Sequence, residues 1–155
     1  MYPIAADYAE ARYVGGNTVL HGVQNFNLDD ILDCGQCFRW KRCGERSWSG
    51  IVQGRSRTVT QQEDRLVLHG VDEEGFAAVW HDYFAVGRDY GALRRLLGSD
   101  ATTARAVAFT PGMRVLRQPP WETLCSFIIS ANNNILRIRG IVERLCEAFG
   151  EALPG

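Results

Sequence analysis

The sequence predicts an α+β fold, an antiparallel sheet with helices followed by helices alone, and three observations predict it. Between residues 13 and 70, short β-prone runs alternate with turn residues at close spacing. After Gly70 the apolar spacing changes to the i, i+3, i+4 rhythm of helices. With 155 residues, 46% of them hydrophobic, the chain can bury a core without disulfide staples.

Taken in order, residues 1–12 read as a lead-in that carries no element. Residues 18–23 are a short β-prone run. Residues 37–42 alternate aromatic with basic side chains, as a half-buried strand does. Gly44-Glu45 turns the chain into a strand over 47–52, and Gly54 breaks it before a strand over 57–60. The polar run 62–65 turns into a strand over 66–69, so the strands are expected to form an antiparallel meander. Asp72 can cap a helix with Glu73 and Glu74 in its favourable first turn and Phe76, Trp80, Tyr83 and Phe84 on one face. Asp89 can cap the next, with Leu93, Leu96 and Leu97 inward and Gly98 as its stop. A short helix over 103–109 ends at Pro111-Gly112.

Gln118-Pro119-Pro120 opens a stronger helix, because a first-turn proline gives up no hydrogen bond. Trp121, Leu124, Cys125 and Ile128 form its stripe, and it ends near Ser130-Ala131. Asn132-Asn133-Asn134 is a turn in which one asparagine caps the last helix, whose stripe is Ile135, Ile138, Val142, Leu145 and Phe149, with Gly150 as the stop. The domains expected are 13–112, β-rich with helices, and 113–155, the start of a helical unit whose apolar faces need further helices. A connection rather than a terminus is expected at the chain end.

Composition narrows the function classes. No run of about 18 apolar residues is present, so no transmembrane helix is expected, and the first ten residues do not read as a secretory signal. Five cysteines without a signal suit a reducing cytoplasm. Cys34 and Cys37 have the spacing of a zinc knuckle, but only Cys43 and His69 could add ligands and neither forms a second pair, so no metal is expected. No cofactor is expected either. The net charge is −1, but its distribution is uneven: residues 62–100 hold eight acids against four arginines, and residues 101–144 hold six arginines against two acids. That basic stretch is either a phosphate-binding footprint or a set of solvated helix faces. Lys41 is the sole lysine in the chain.

Three segments resemble the 8-oxoguanine DNA glycosylase family, in order and at similar spacing: Cys34-Gly35-Gln36-Cys37-Phe38-Arg39-Trp40; Val115-Leu116-Arg117-Gln118-Pro119-Pro120-Trp121-Glu122; and Phe127 to Ile135 with Arg137-Ile138 and Gly140 to Leu145. With the Trp48-Ser49-Gly50 strand, the resemblance covers most of the chain from about Asn25 to Phe149, and the cysteine version of the first segment is similar to bacterial or archaeal members. It implies a sheet domain like that of TATA-binding protein, followed by the first helices of an all-α helix-hairpin-helix glycosylase domain. It also implies base-excision repair: removal of oxidised guanine opposite cytosine from double-stranded DNA, then strand cleavage at the abasic site, by a monomer working in the cytoplasm of a prokaryote.

The resemblance implies roles as well. Asn132 fills the gap left by a flipped base, Arg137 bonds the estranged cytosine, and the Gly35 carbonyl accepts from N7–H of the oxidised base. Phe127 is a candidate for lining the base pocket. Without the resemblance, Asn132 reads as a cap, Arg137 as a solvated arginine and Gly35 as a turn glycine, while Phe38, Trp40 and Trp48 read as core rather than stacking platforms. The family's catalytic lysine and aspartate match no residue here. Lys41 stands in the wrong segment, so these residues alone are expected not to excise bases and to be part of a truncated or longer protein. Two other classes stay open: a non-catalytic lesion-binding module, and a glycosylase for alkylated purines, against which the Asn132-Asn133-Asn134 turn argues.

Overall fold

The structure, a computed structural model, describes residues 6–153. One six-stranded antiparallel sheet has the order β1-β2-β6-β5-β4-β3. β1 (Glu10–Val14) and β2 (Asn17–His21) form a hairpin through Gly15-Gly16. The chain crosses by way of α1 (Leu28–Leu32) to the far edge, where β3 (Trp40–Gly44) lies. β4 (Ser47–Val52), β5 (Arg55–Gln62) and β6 (Arg65–Leu68) then step back until β6 meets β2, with Leu20 opposite Leu66. The expected meander is therefore β3 to β6 alone. The β2–β6 pairing closes it onto the first hairpin, a register decided by burying Leu20, Leu66 and Leu68 on one face.

α2 (Glu73–Gly75), a π-helical turn (Phe76–Trp80) and α3 (His81–Tyr83) run on from one another. Asp72 caps this run by accepting from the Gly75 amide at 2.8 Å. Its Phe76, Trp80, Tyr83 and Phe84 are buried against Trp40, Trp48 and the sheet, as the spacing predicts. The Trp40 indole N–H donates to the Tyr83 hydroxyl at 2.8 Å, which satisfies both buried polar groups. Trp40 stands opposite Gly50 in the ladder, and a Cβ at Gly50 would lie 2.2 Å from the indole. The sheet therefore needs glycine there to seat its central tryptophan.

α4 (Tyr90–Leu97) is capped by Asp89 and α5 (Ala101–Phe109) by Asp100. α6 (Pro120–Ser130) starts on the predicted proline, and α7 (Ile135–Phe149) is capped by Asn134, which accepts from the Arg137 amide at 3.0 Å.

Three expectations are corrected. The lead-in expected over residues 1–12 contains the start of β1 and the buried Asp7; residues 1–5 lie outside the described ones. β3 begins at Trp40, not at residue 37, because Cys37 and Phe38 belong to a bent segment held by side chains rather than by a partner strand. Leu93, Leu96 and Leu97 of α4 face outward, since the neighbour that α4 has, α5, does not cover that stripe. The stripe of α6 is open, and of the α7 stripe only Ile138 and Val142 are buried, in line with the expectation that these faces need further helices.

Asp7 and Arg114 tie the two ends of the sheet unit together. They form a buried ion pair; the Arg114 guanidinium also donates to the Asn25 carbonyl at 3.0 Å and the Ala85 carbonyl at 2.6 Å, and lies over the Tyr90 ring. Asp7 accepts in turn from the Tyr90 amide at 2.9 Å. Every bonding group of this pair is thereby engaged with a neighbour, the condition for keeping ions in a core.

Candidate functional site

The site is built where the loop after α1 meets the α6–α7 hairpin. Gly35 sits at φ +86°, a left-handed conformation that glycine adopts without strain, and an added Cβ would lie 3.1 Å from the Ile135 side chain. The loop and the start of α7 thus lie close together, and a side chain at this position would both strain the left-handed backbone and press on Ile135. Among the described residues no donor bonds the Gly35 carbonyl. A shallow cavity joins Gly35 and Phe38 to Ser130, Asn133, Asn134, Ile135, Leu136 and Ile138.

The hairpin is docked on the sheet's β3 edge by a small apolar cluster and three ion pairs. Phe38, Ile138 and Val142 are buried together, with Ile129 against them. Around them Arg39 pairs with Glu122 at 3.7 Å, Arg139 with Asp33 at 2.7 Å, and Lys41 with Glu143. Burial pushes the Glu122 carboxyl above its ordinary range despite the facing Arg39. The amine of Lys41 is exposed and engaged with Glu143, away from the Gly35 cavity.

The three asparagines of the turn divide their work. Asn134 caps α7, and Asn133 folds back to donate to the Ile129 carbonyl at 2.7 Å. Asn132 is left exposed at φ +57°, the left-handed region that asparagine tolerates better than most residues. Arg137 is exposed on the first turn of α7 and belongs to no ion pair among the described residues. Ile135, which touches Gly35, lies between Asn132 and Arg137 in the chain. The structure therefore brings Gly35 to the segment that carries both. Phe127 is exposed on α6 and does not line the Gly35 cavity.

The basic stretch is smaller than the sequence suggests. Arg114 is buried, Arg117 pairs with Asp82 at 3.0 Å and Arg139 with Asp33, which leaves Arg105, Arg137 and Arg144 exposed and without an ion pair among the described residues. The cysteine pair is not a ligand set: Cys37 is buried, and desolvation, with Cys34 close by, pushes its thiol up to about 12. Among the described residues no cluster of three or more His, Cys, Asp or Glu side chains gathers to hold a metal ion. Phe38, Trp40 and Trp48 are core, as expected. No described helix is long and apolar enough to cross a membrane.

One residue escaped the sequence reading. Gln36 stands inside the first motif but shows no pattern that predicts its contacts. Its amide donates to the Ile31 carbonyl at 2.9 Å and the Arg114 carbonyl at 2.8 Å, and accepts from the Leu116 amide at 2.9 Å.

A six-stranded sheet unit with a helical hairpin docked at its edge also superimposes on 8-oxoguanine glycosylases of known structure. In the crystal structure of Clostridium acetobutylicum 8-oxoguanine glycosylase/lyase in complex with double-stranded DNA containing cytosine opposite 8-oxoguanine, the matched part superimposes with a TM-score of 0.92 at 38% identity, over 96% of this chain and 51% of that one. The apo form of the same enzyme matches with a TM-score of 0.90 over 96% of this chain and 52% of that one. A curated relative from Saccharomyces cerevisiae, an N-glycosylase/DNA lyase, is 32% identical over 81% of this chain and 37% of its own length. Residues 18–124 match the family model of the 8-oxoguanine DNA glycosylase N-terminal domain, and the chain belongs to that family. It spans about half the length of the clostridial enzyme and about a third of the yeast one.

Proposed function

We propose that this chain carries the lesion-recognising portion of an 8-oxoguanine DNA glycosylase/lyase, acting on oxidised guanine opposite cytosine in double-stranded DNA. The observation that carries the reading is the exposure of Asn132 and Arg137 on either side of Ile135, in contact with Gly35 and its unengaged carbonyl. To reach the glycosidic bond the damaged nucleotide must leave the stack. Asn132, short, polar and held by its backbone conformation, fills the gap. Arg137 directs its fork of N–H donors at the acceptor edge of the orphaned cytosine. The Gly35 carbonyl accepts from N7–H of the oxidised base and meets lone-pair repulsion from the bare N7 of ordinary guanine. Phe127, exposed and aromatic on α6, is suited to stacking on a base outside the Gly35 cavity.

The division of the chain into a β-rich unit to residue 112, which includes β1, and the start of a helical unit over 113–155 belongs to this proposal, with the seam between Phe38 and Ile138 as the domain contact. Bond-breaking is not assigned to these residues, because the sole lysine amine is turned to Glu143. In a prokaryote the working place is the cytoplasmic nucleoid, and the working form is a monomer.

The test is affinity for a duplex with a central 8-oxoguanine:cytosine pair, against the same duplex with guanine. The chain should prefer the lesion; N132A and R137A should each weaken lesion binding roughly tenfold or more, and R137A should also erase the preference for cytosine opposite. Borohydride treatment of the chain with lesion DNA should trap no covalent adduct. Equal binding of both duplexes by the unaltered chain overturns the reading.

A further inference from the structure

Gly35 is free to present its carbonyl only if something else holds the loop, because its left-handed backbone has no partner strand. α1 ends at Leu32 and β3 begins at Trp40, so the segment between them draws its order from side chains. Gln36 supplies most of it. The donor end of its amide joins two carbonyls from different parts of the chain, Ile31 at the end of α1 and Arg114 in the segment leading to α6. The acceptor end takes the Leu116 amide, and the Gln36 backbone carbonyl takes the Gln118 side chain at 2.6 Å. Three hydrogen bonds thus fix the residue next to Gly35 against 114–118, the same segment that leads into α6, and a fourth ties it to the end of α1. Ile135 closes the other side of Gly35.

We infer that Gln36 is a positioning residue for lesion discrimination: it holds the Gly35 carbonyl in register with the turn that carries Asn132 and Arg137. The inference rests on the reading of Gly35 as the lesion-sensing group. A carbonyl discriminates N7–H from N7 by direction as well as distance, since both attraction and repulsion fall off with misalignment. Loosening the clamp therefore lowers selectivity while leaving the gap-filling turn its own grip on DNA.

The test uses the full chain and three duplexes, with 8-oxoguanine, guanine or an abasic site opposite cytosine. Q36L keeps the approximate size and removes three of the four bonds. It should reduce the 8-oxoguanine-to-guanine affinity ratio roughly tenfold and leave abasic-site affinity within about twofold. A clamp with only a structural role would instead lower all three affinities together, in step with the folded fraction measured by thermal melting. Q36E keeps size and the acceptor for the Leu116 amide but sets a carboxylate oxygen against the Ile31 and Arg114 carbonyls, and should lose the ratio at least as far as Q36L; if Q36L does not fold, Q36M decides by the same criterion. G35A separates the two readings. If G35A abolishes selectivity and the Gln36 variants keep it, the positioning role is overturned. If G35A leaves selectivity intact, the Gly35 reading falls and the positioning role falls with it.

Discussion

The sheet unit and the α6–α7 hairpin are held in opposite ways. The sheet unit closes its own core: Trp40, Trp80, Phe84, Leu20, Ile31 and Leu66 are almost wholly buried, and the Asp7–Arg114 pair binds its N-terminal end to the segment before α6. The hairpin buries Ile138 and Val142 against Phe38 and leaves Trp121 75%, Phe127 74% and Leu136 78% exposed. Both regions are rich in apolar residues at helical or strand spacing. What separates them is whether a facing surface exists for the stripe to meet. A hydrophobic pattern states that a face can be buried, and only a partner decides that it is.

The contrast can be broken from the sheet side first. W40A removes the largest buried ring and orphans the Tyr83 hydroxyl, and should destabilise the chain by about 3–5 kcal/mol in chemical denaturation. R114A leaves Asp7 buried without its partner and should cost about 3–5 kcal/mol by the same measurement. From the hairpin side, I138A should cost about 2–4 kcal/mol where α7 meets the sheet, read as faster amide exchange through α7 with β4 and β5 still protected. If I138A instead melts the sheet as readily as W40A does, the two regions are one cooperative unit and the contrast fails.

The smallest test uses two carboxylates with opposite shifts. Burial would raise Asp29, but the Arg42 guanidinium at 2.7 Å and the Trp48 indole at 2.8 Å hold its carboxyl below the ordinary range. Its contribution is present above its unfolded value of 3.8 and is lost as pH falls through the lowered one. Glu122, in the seam, is raised by burial, so stability falls as pH rises from its unfolded value of 4.5 through the raised one. D29N should therefore flatten the acid limb of the pH–stability curve and E122Q the fall of stability that follows as pH rises above the ordinary glutamate value, each by less than about 1 kcal/mol because both pairs are partly solvated. Identical curves for E122Q and the unaltered chain would show that the seam carries no buried charge.

Much of the fold was legible beforehand. Asp72 and Asp89 read as caps and are caps, and the asparagine turn was expected to supply a cap that the structure assigns to Asn134 rather than Asn132, since capping depends on a side chain and the next three amides. The helix stripe Phe76, Trp80, Tyr83 and Phe84 also read correctly. β1 did not, because Glu10, Arg12 and Tyr13 lie on a sheet edge where little is buried and no alternation is imposed. Of the proposed site, Asn132, Arg137 and Gly35 were singled out through the resemblance of the motifs, whereas the contacts of Gln36 were not legible, because its bonds reach residues 78 and 80 positions away.

The sequence by itself determined most of the elements and the Asp72 and Asp89 caps, because these follow from local propensity and spacing. Tertiary structure alone decided which arginines are free, that β6 meets β2, that α4 and α6 keep their apolar stripes outward, and that Gly35 is wedged against Ile135. Those outcomes depend on surfaces distant in the chain meeting at ångström range, where burial, ion pairing and steric fit are settled by the neighbour rather than by the residue.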